Sequence, residues 1–153
     1  MKTLVLGLGN PIHCDDGVGN RIAEILASKI TNPAVTVVET SSSGLDLLDF
    51  VEGYERVIII DAIQTRNGKA GQVYRLGLHD LSIPRHCLGA HSVDLATALE
   101  LGSRLGLALP QEVIIFAIEV ADVTTFSEEF TPAVEKAIPE VIGLVLSELA
   151  GTG

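Results

Sequence analysis

The sequence predicts an α/β fold: three layers, with about five mostly parallel strands in one sheet and helices on both faces. Three observations lead there. Apolar runs alternate with helix-period segments in the order β-α-β-α-β-β-α-β-α, which suits an open sheet with right-handed crossovers. Hydrophobic residues make up 47% of the 153 but aromatics only 4%. The core must therefore be Val, Ile, Leu and Ala, the usual filling of a sheet buried on both faces.

Each element has its own signal. The run 3–9 (TLVLGLG) is apolar and ends in glycines, so it reads as a buried first strand. Residues 18–30 place apolar side chains at 18, 22, 25, 26 and 30, one helical face. Asp15 or Asp16 is placed to cap the start of that helix, where a carboxylate suits the helix dipole. Residues 34–39 (AVTVVE) read as the second strand. Ser43 and Asp46 resemble a capping box for a short helix through about Val51. The run 56–61 (RVIIID) is the most apolar and is placed centrally, closed by Asp61. Residues 71–77 (GQVYRLG) alternate after a turn-like stretch, which suits an edge strand and allows an antiparallel one. A third helix is expected over 92–106 and a last core strand over 112–120. Thr131 and Pro132 form a capping pair for a final helix with apolar positions 134, 138, 141, 142, 145 and 149. Pro139 is expected to kink or split it.

Bulk properties narrow the function. The length suits one domain spanning 1–153, and a mean hydropathy of +0.41 argues against disorder. A net charge of −10 repels phosphate backbones, so nucleic acid is a poor partner. Cys14 and Cys87 form no disulfide framework. The start is too quickly interrupted for a signal peptide, and no apolar run approaches the roughly 20 residues of a membrane span. A soluble, cytoplasmic protein without a membrane partner is expected.

In such sheets ligands bind beyond the carboxyl ends of the strands. The segment Gly9 to Asp16, Glu39 to Gly44, Asp61 and Glu119 all fall there in the predicted topology. Asp16, Asp61 and His91 stand out. Two carboxylates and an imidazole suit a borderline divalent metal such as nickel or zinc. His91 lies at a helix start, where the dipole keeps imidazole neutral, its metal-binding form. Singly, each has a plain structural reading: Asp16 as a cap, Asp61 as a loop carboxylate, His91 as a satisfied histidine. His13 and Cys14 could extend the site, as could His86, Cys87 or Glu119, although free cysteines are commonly just small buried groups. The glycines at 7, 9, 17 and 19 miss a dinucleotide fingerprint, because Ile12 stands where the third glycine is needed. Gly7 and Gly9 read instead as permitting a tight strand exit.

These motifs carry a resemblance. From VLGLGN (4–10) through DDGVG (15–19), VIIIDA (57–62), the HSVDL region (91–95) and FTP (130–132), the chain resembles the hydrogenase maturation endopeptidases nearly end to end. Those enzymes trim the large subunit of nickel–iron hydrogenases. The resemblance implies a twisted sheet with helices on both sides. It also implies nickel-contacting residues at Asp16, Asp61 and His91, which serve as both the metal and the catalytic set. The first of these is glutamate in some members and aspartate in others. The implied substrate is a large-subunit precursor, and the implied reaction removes its C-terminal extension once nickel is installed. Nickel is then supplied by the substrate rather than permanently bound. The implied class is an aspartic-type endopeptidase without a pepsin-like dyad, with Asp16 or Asp61 as base. One departure is the loop Glu39 to Gly44, ETSSSG, where relatives often carry an Asp-Gly-Gly-Thr type stretch.

Two other readings compete. Peptidyl-tRNA hydrolases open with a similar GLGNP, but a different continuation follows here and the negative charge suits tRNA badly. A Rossmann-like or flavodoxin-like small-ligand module is weakened by the failed glycine spacing.

Overall fold

A computed structural model describes residues 2–42, 44–65, 67–77, 90–122 and 125–151, with the backbone alone over 90–96. Five strands form one sheet: β1 (Thr3–Leu8), β2 (Val35–Thr40), β3 (Arg56–Ile63), β4 (Val73–Gly77) and β5 (Glu112–Glu119). Their order is β2-β1-β3-β5-β4. β1, β2, β3 and β5 are parallel, and β4 joins β5 antiparallel at the edge, as its alternating pattern predicted. Burial follows position. Every residue of β1 and β3 is buried, whereas β2 and β4 at the rims are only partly so.

Alternation along the strands builds two cores. Leu4, Leu6, Ile59, Ile63, Ile115 and Ala117 face one side. There they meet α2 (Leu48–Val51) and α3 (Ala90–Arg104) through Leu48, Val51, Ala98 and Leu99. Val5, Ile58, Ile60, Phe116 and Ile118 face the other side. There they meet α1 (Val18–Lys29) through Ile22 and Leu26, and α4 (Pro132–Ala150) through Val134, Ile138 and Val141. This is the expected three-layer arrangement.

α1 sits unusually close to the sheet. A Cβ on Gly19 would collide with the carbonyl oxygens of Leu8 and Ile60, and one on Gly7 with the carbonyl oxygen of Gly19. The glycines thus serve backbone-on-backbone packing of helix against strands, more than the strand exit alone.

Four local expectations change. β3 runs two residues past Asp61, because Asp61, Ala62 and Ile63 continue the ladder with Ala117, Ile118 and Glu119. Neither Asp15 nor Asp16 caps α1: Gly17 holds that position without a side-chain cap, after a 3-10 turn over Cys14–Gly17. α4 is not split at Pro139. That proline is on the exposed face, so the carbonyl it leaves unbonded faces water, while the buried face holds the helix on the sheet. Thr131 and Pro132 do start α4, but the Thr131 hydroxyl makes no cap bond. Ser43 lies outside the described residues.

Three substitutions check these readings by thermal or urea unfolding. Gly19→Ala is expected to destabilise by ~2 kcal/mol or more, because backbone oxygens cannot yield to a methyl group. Gly143→Ala meets open space within α4 and is expected to stabilise by about 1 kcal/mol. Pro139→Ala restores a helical N–H donor and is expected to stabilise by ~1–3 kcal/mol. A Gly19→Ala protein as stable as wild type would refute the close-packing account.

Candidate active site

The strand order places a switch point between β1 and β3. From β1 the chain goes through α1 to β2 on one side, then through α2 to β3 on the other. The crossovers lie on opposite faces, so a crevice opens at the carboxyl ends of β1 and β3. The turn 9–17 leaves β1 there. Gly9 begins it at φ +149°, and a Cβ would strike the carbonyl oxygen of Asp16. The turn closes through His13 N–H to Asn10 O (3.1 Å) and Asp16 N–H to His13 O (2.9 Å). The half-buried Asp16 accepts the Asn10 amide on Oδ2 at 2.9 Å.

Asp61 lies on β3 across the crevice, between Ile59 and Ile63, so it faces the α3 side of the sheet. It is fully buried, and its Oδ1 accepts the Ala62 amide at 2.8 Å. His91 is the second residue of α3. Beyond α3, Gly53 N–H bonds Ala108 O (2.8 Å) and Gln111 N–H bonds Glu55 O (3.0 Å), at the amino edge of the sheet. The opposite end of this 15-residue helix is ~22 Å away, about the length of β5. The first turn of α3 therefore stands at the carboxyl edge, with Asp16 and Asp61. The His91 side chain lies outside the described residues, as do His86 and Cys87. Among the described residues no three His, Cys, Asp or Glu side chains gather as a metal site.

The neighbouring candidates are engaged elsewhere. Cys14 is buried at φ +43°, and its thiol donates to Glu129 O (3.2 Å). Burial and the adjacent Asp15 raise its pKa, which keeps the thiol protonated and a poor ligand. His13 packs edge-on against Phe126, ring centroids 5.1 Å apart. Glu119 is buried and ties the segment after β3 to β5. It accepts Thr65 N–H (2.8 Å), Thr65 Oγ1–H (2.6 Å) and Tyr74 O–H (3.0 Å). The Tyr74 pKa is raised by burial and by this bond to Glu119, so the phenol stays a donor.

The residue that sequence reasoning missed is Asp15. Its carboxylate is fully buried and accepts four hydrogen bonds of 3.0 Å or shorter, with the Cys14 thiol 3.8 Å from its Oδ1. They come from Ala121 N–H (2.9 Å), Asp122 N–H (3.0 Å), Thr131 N–H (2.8 Å) and Thr131 Oγ1–H (2.8 Å). The DDGVG and FTP motifs are thus physically joined, which explains where the Thr131 hydroxyl goes. No local pattern signals this, because the partners are 106 to 116 residues away.

Comparison with known proteins accords with this architecture. A family model described as hydrogenase maturation protease matches residues 20–148. The chain is similar to the hydrogenase 2 maturation protease of Escherichia coli K12, 27% identical over 157 residues, spanning 100% of this chain and 93% of that protein. It is also similar to the hydrogenase expression/formation protein HupD of Bradyrhizobium diazoefficiens, 26% identical over 159 residues, spanning 99% and 80%. Among solved structures, the maturating endopeptidase HybD from E. coli superposes with a TM-score of 0.85 at 25% identity, covering 100% of this chain and 94% of that one. The HybD protease from Thermococcus kodakarensis gives 0.73 at 27% identity, covering 96% and 98%. Sequence, fold and crevice agree: the chain belongs to the hydrogenase maturation protease family and is a peptidase.

Proposed function

We propose that this peptidase removes the C-terminal extension of a nickel–iron hydrogenase large-subunit precursor after nickel insertion, using the nickel in its substrate as the recognition element. The observation that carries the reading is the placement of Asp16 and Asp61 on either side of the β1–β3 crevice, with the first turn of α3 and its His91 at the same edge. Carboxylate and imidazole ligands suit nickel. An ion already partly coordinated by the precursor can take its remaining ligands from such an incomplete set. Cleavage then reports that the metal is present. The substrate nickel would polarise the scissile carbonyl or acidify a water. Asp16, half-buried at the crevice mouth, is the carboxylate we assign as the proton acceptor, and Asp61, fully buried below it, as a fixed contact. The described helices include none long and apolar enough to cross a membrane.

The test incubates the protein with purified nickel-loaded and nickel-free large-subunit precursors and reads intact mass. Only the nickel-loaded precursor is expected to lose its extension. Asp16→Asn, Asp61→Asn and His91→Ala are each expected to slow that cleavage at least 100-fold while circular dichroism stays native. Equal processing of the nickel-free precursor, or normal processing by the His91→Ala protein, would overturn the reading.

A further inference from the structure

We infer that Asp15 is a positioning residue for Asp16: its buried carboxylate latches the turn that carries Asp16 onto the segment after β5 and the start of α4. The inference rests on the proposed role of Asp16 in contacting substrate-bound nickel.

The turn 9–17 has a few short-range hydrogen bonds of its own, from His13 N–H to Asn10 O, Asp16 N–H to His13 O and Ile12 N–H to Asn10 Oδ1. It spans a strand exit at Gly9, a left-handed Cys14 at φ +43° and one 3-10 turn. A non-glycine residue in that region persists only where its surroundings over-determine it. Here the surroundings come from the far end of the chain. Cys14 N–H bonds Ser127 O at 2.9 Å, Asp15 N–H bonds Asp122 O at 2.8 Å and Ser127 N–H bonds Ile12 O at 2.9 Å. The Asp15 side chain adds the four bonds to Ala121, Asp122 and Thr131. Both of its oxygens are used: Oδ1 by the Thr131 amide, Oδ2 by the Ala121 and Asp122 amides and the Thr131 hydroxyl. Three of the donors are backbone amides with fixed hydrogens, and they reach both oxygens, so only an acceptor at both oxygens fits. An anion is also favoured at the start of α4.

Asp16 is the next residue. Its backbone is set by Asp15 on one side and by α1 on the other, and its carboxylate is steadied by the Asn10 amide at 2.9 Å. That single bond spans the turn, so its length depends on the turn keeping its shape. If the latch opens, the Asn10–Asp16 bond lengthens and Asp16 shifts relative to Asp61 on the buried β3. Catalytic geometry tolerates little such movement.

The Asn10 amide therefore gives a readout that lost stability alone does not move. In Asp15→Asn, an NH2 group replaces one oxygen and faces N–H donors. The folded variant is expected to lose the downfield amide shift and the exchange protection of Asn10, as does the reference variant Asp16→Ala. The core amides of Ile58 to Ile60 are expected to keep theirs. Cleavage of nickel-loaded precursor is expected to fall at least tenfold in kcat/KM. Thr131→Val, which removes one donor only, is expected to be intermediate, and Thr131→Ser to restore both readouts. If Asp15→Asn does not fold, Thr131→Val is read in its place. An Asn10 amide unchanged in the folded variant, or kcat/KM within twofold of wild type, overturns the inference. If Asp16→Ala itself cleaves normally, the metal-contact reading fails instead, and the Asn10 amide alone still reports whether Asp15 sets the turn.

Discussion

The structure depends on a close approach of backbone to backbone. Gly19 of α1 lies against the carbonyl oxygens of Leu8 and Ile60, and Gly7 lies against Gly19. Side chains normally hold a helix off a sheet. Here their absence lets the first turns of α1 rest directly on β1 and β3. The chain between Leu8 and Val18 then has only a short gap to bridge. It folds back over the carboxyl ends of the two strands, where the crossovers separate to opposite faces. A bulkier contact would lift the turn, and Asp16 with it, away from the crevice.

Acidic residues at this edge divide into two kinds. Asp15 and Glu119 are buried and surrounded by N–H and O–H donors, four for the first and three for the second. Donors in that number occupy most of the lone pairs a metal would need. These residues act as rivets between loops: Asp15 joins the turn after β1 to α4, and Glu119 joins the segment after β3 to β4 and β5. Asp16 and Asp61 stand on either side of the crevice between the riveted loops. Rigid loops around a switch point give a site its precision, because ligand geometry is then inherited from the sheet.

Much of this was legible in the chain itself. Continuous apolar runs marked β3 and β5 as central, and alternation marked β4 as the antiparallel rim. The same residues carried the family resemblance, which the matched fold and family model bear out. Boundaries were less legible. Asp61 looked like a strand end because a charge usually closes an apolar run, yet pairing with Ala117 carries β3 two residues further. Pro139 looked like a break because local rules weigh only the lost hydrogen bond, while α4 is held by its buried face.

The division follows from the range of the forces. Periodicity, glycine spacing and turn chemistry act over a few residues, so the sequence alone determined the α/β class, the order of elements and the candidates Asp16, Asp61 and His91. Hydrogen bonds between remote segments have no local signature. Only the tertiary structure could distinguish two adjacent aspartates, one clamped by Thr131 from 116 residues away and the other left at the crevice mouth. Their shared charge made them equivalent on paper, and the donors around Asp15 made them different.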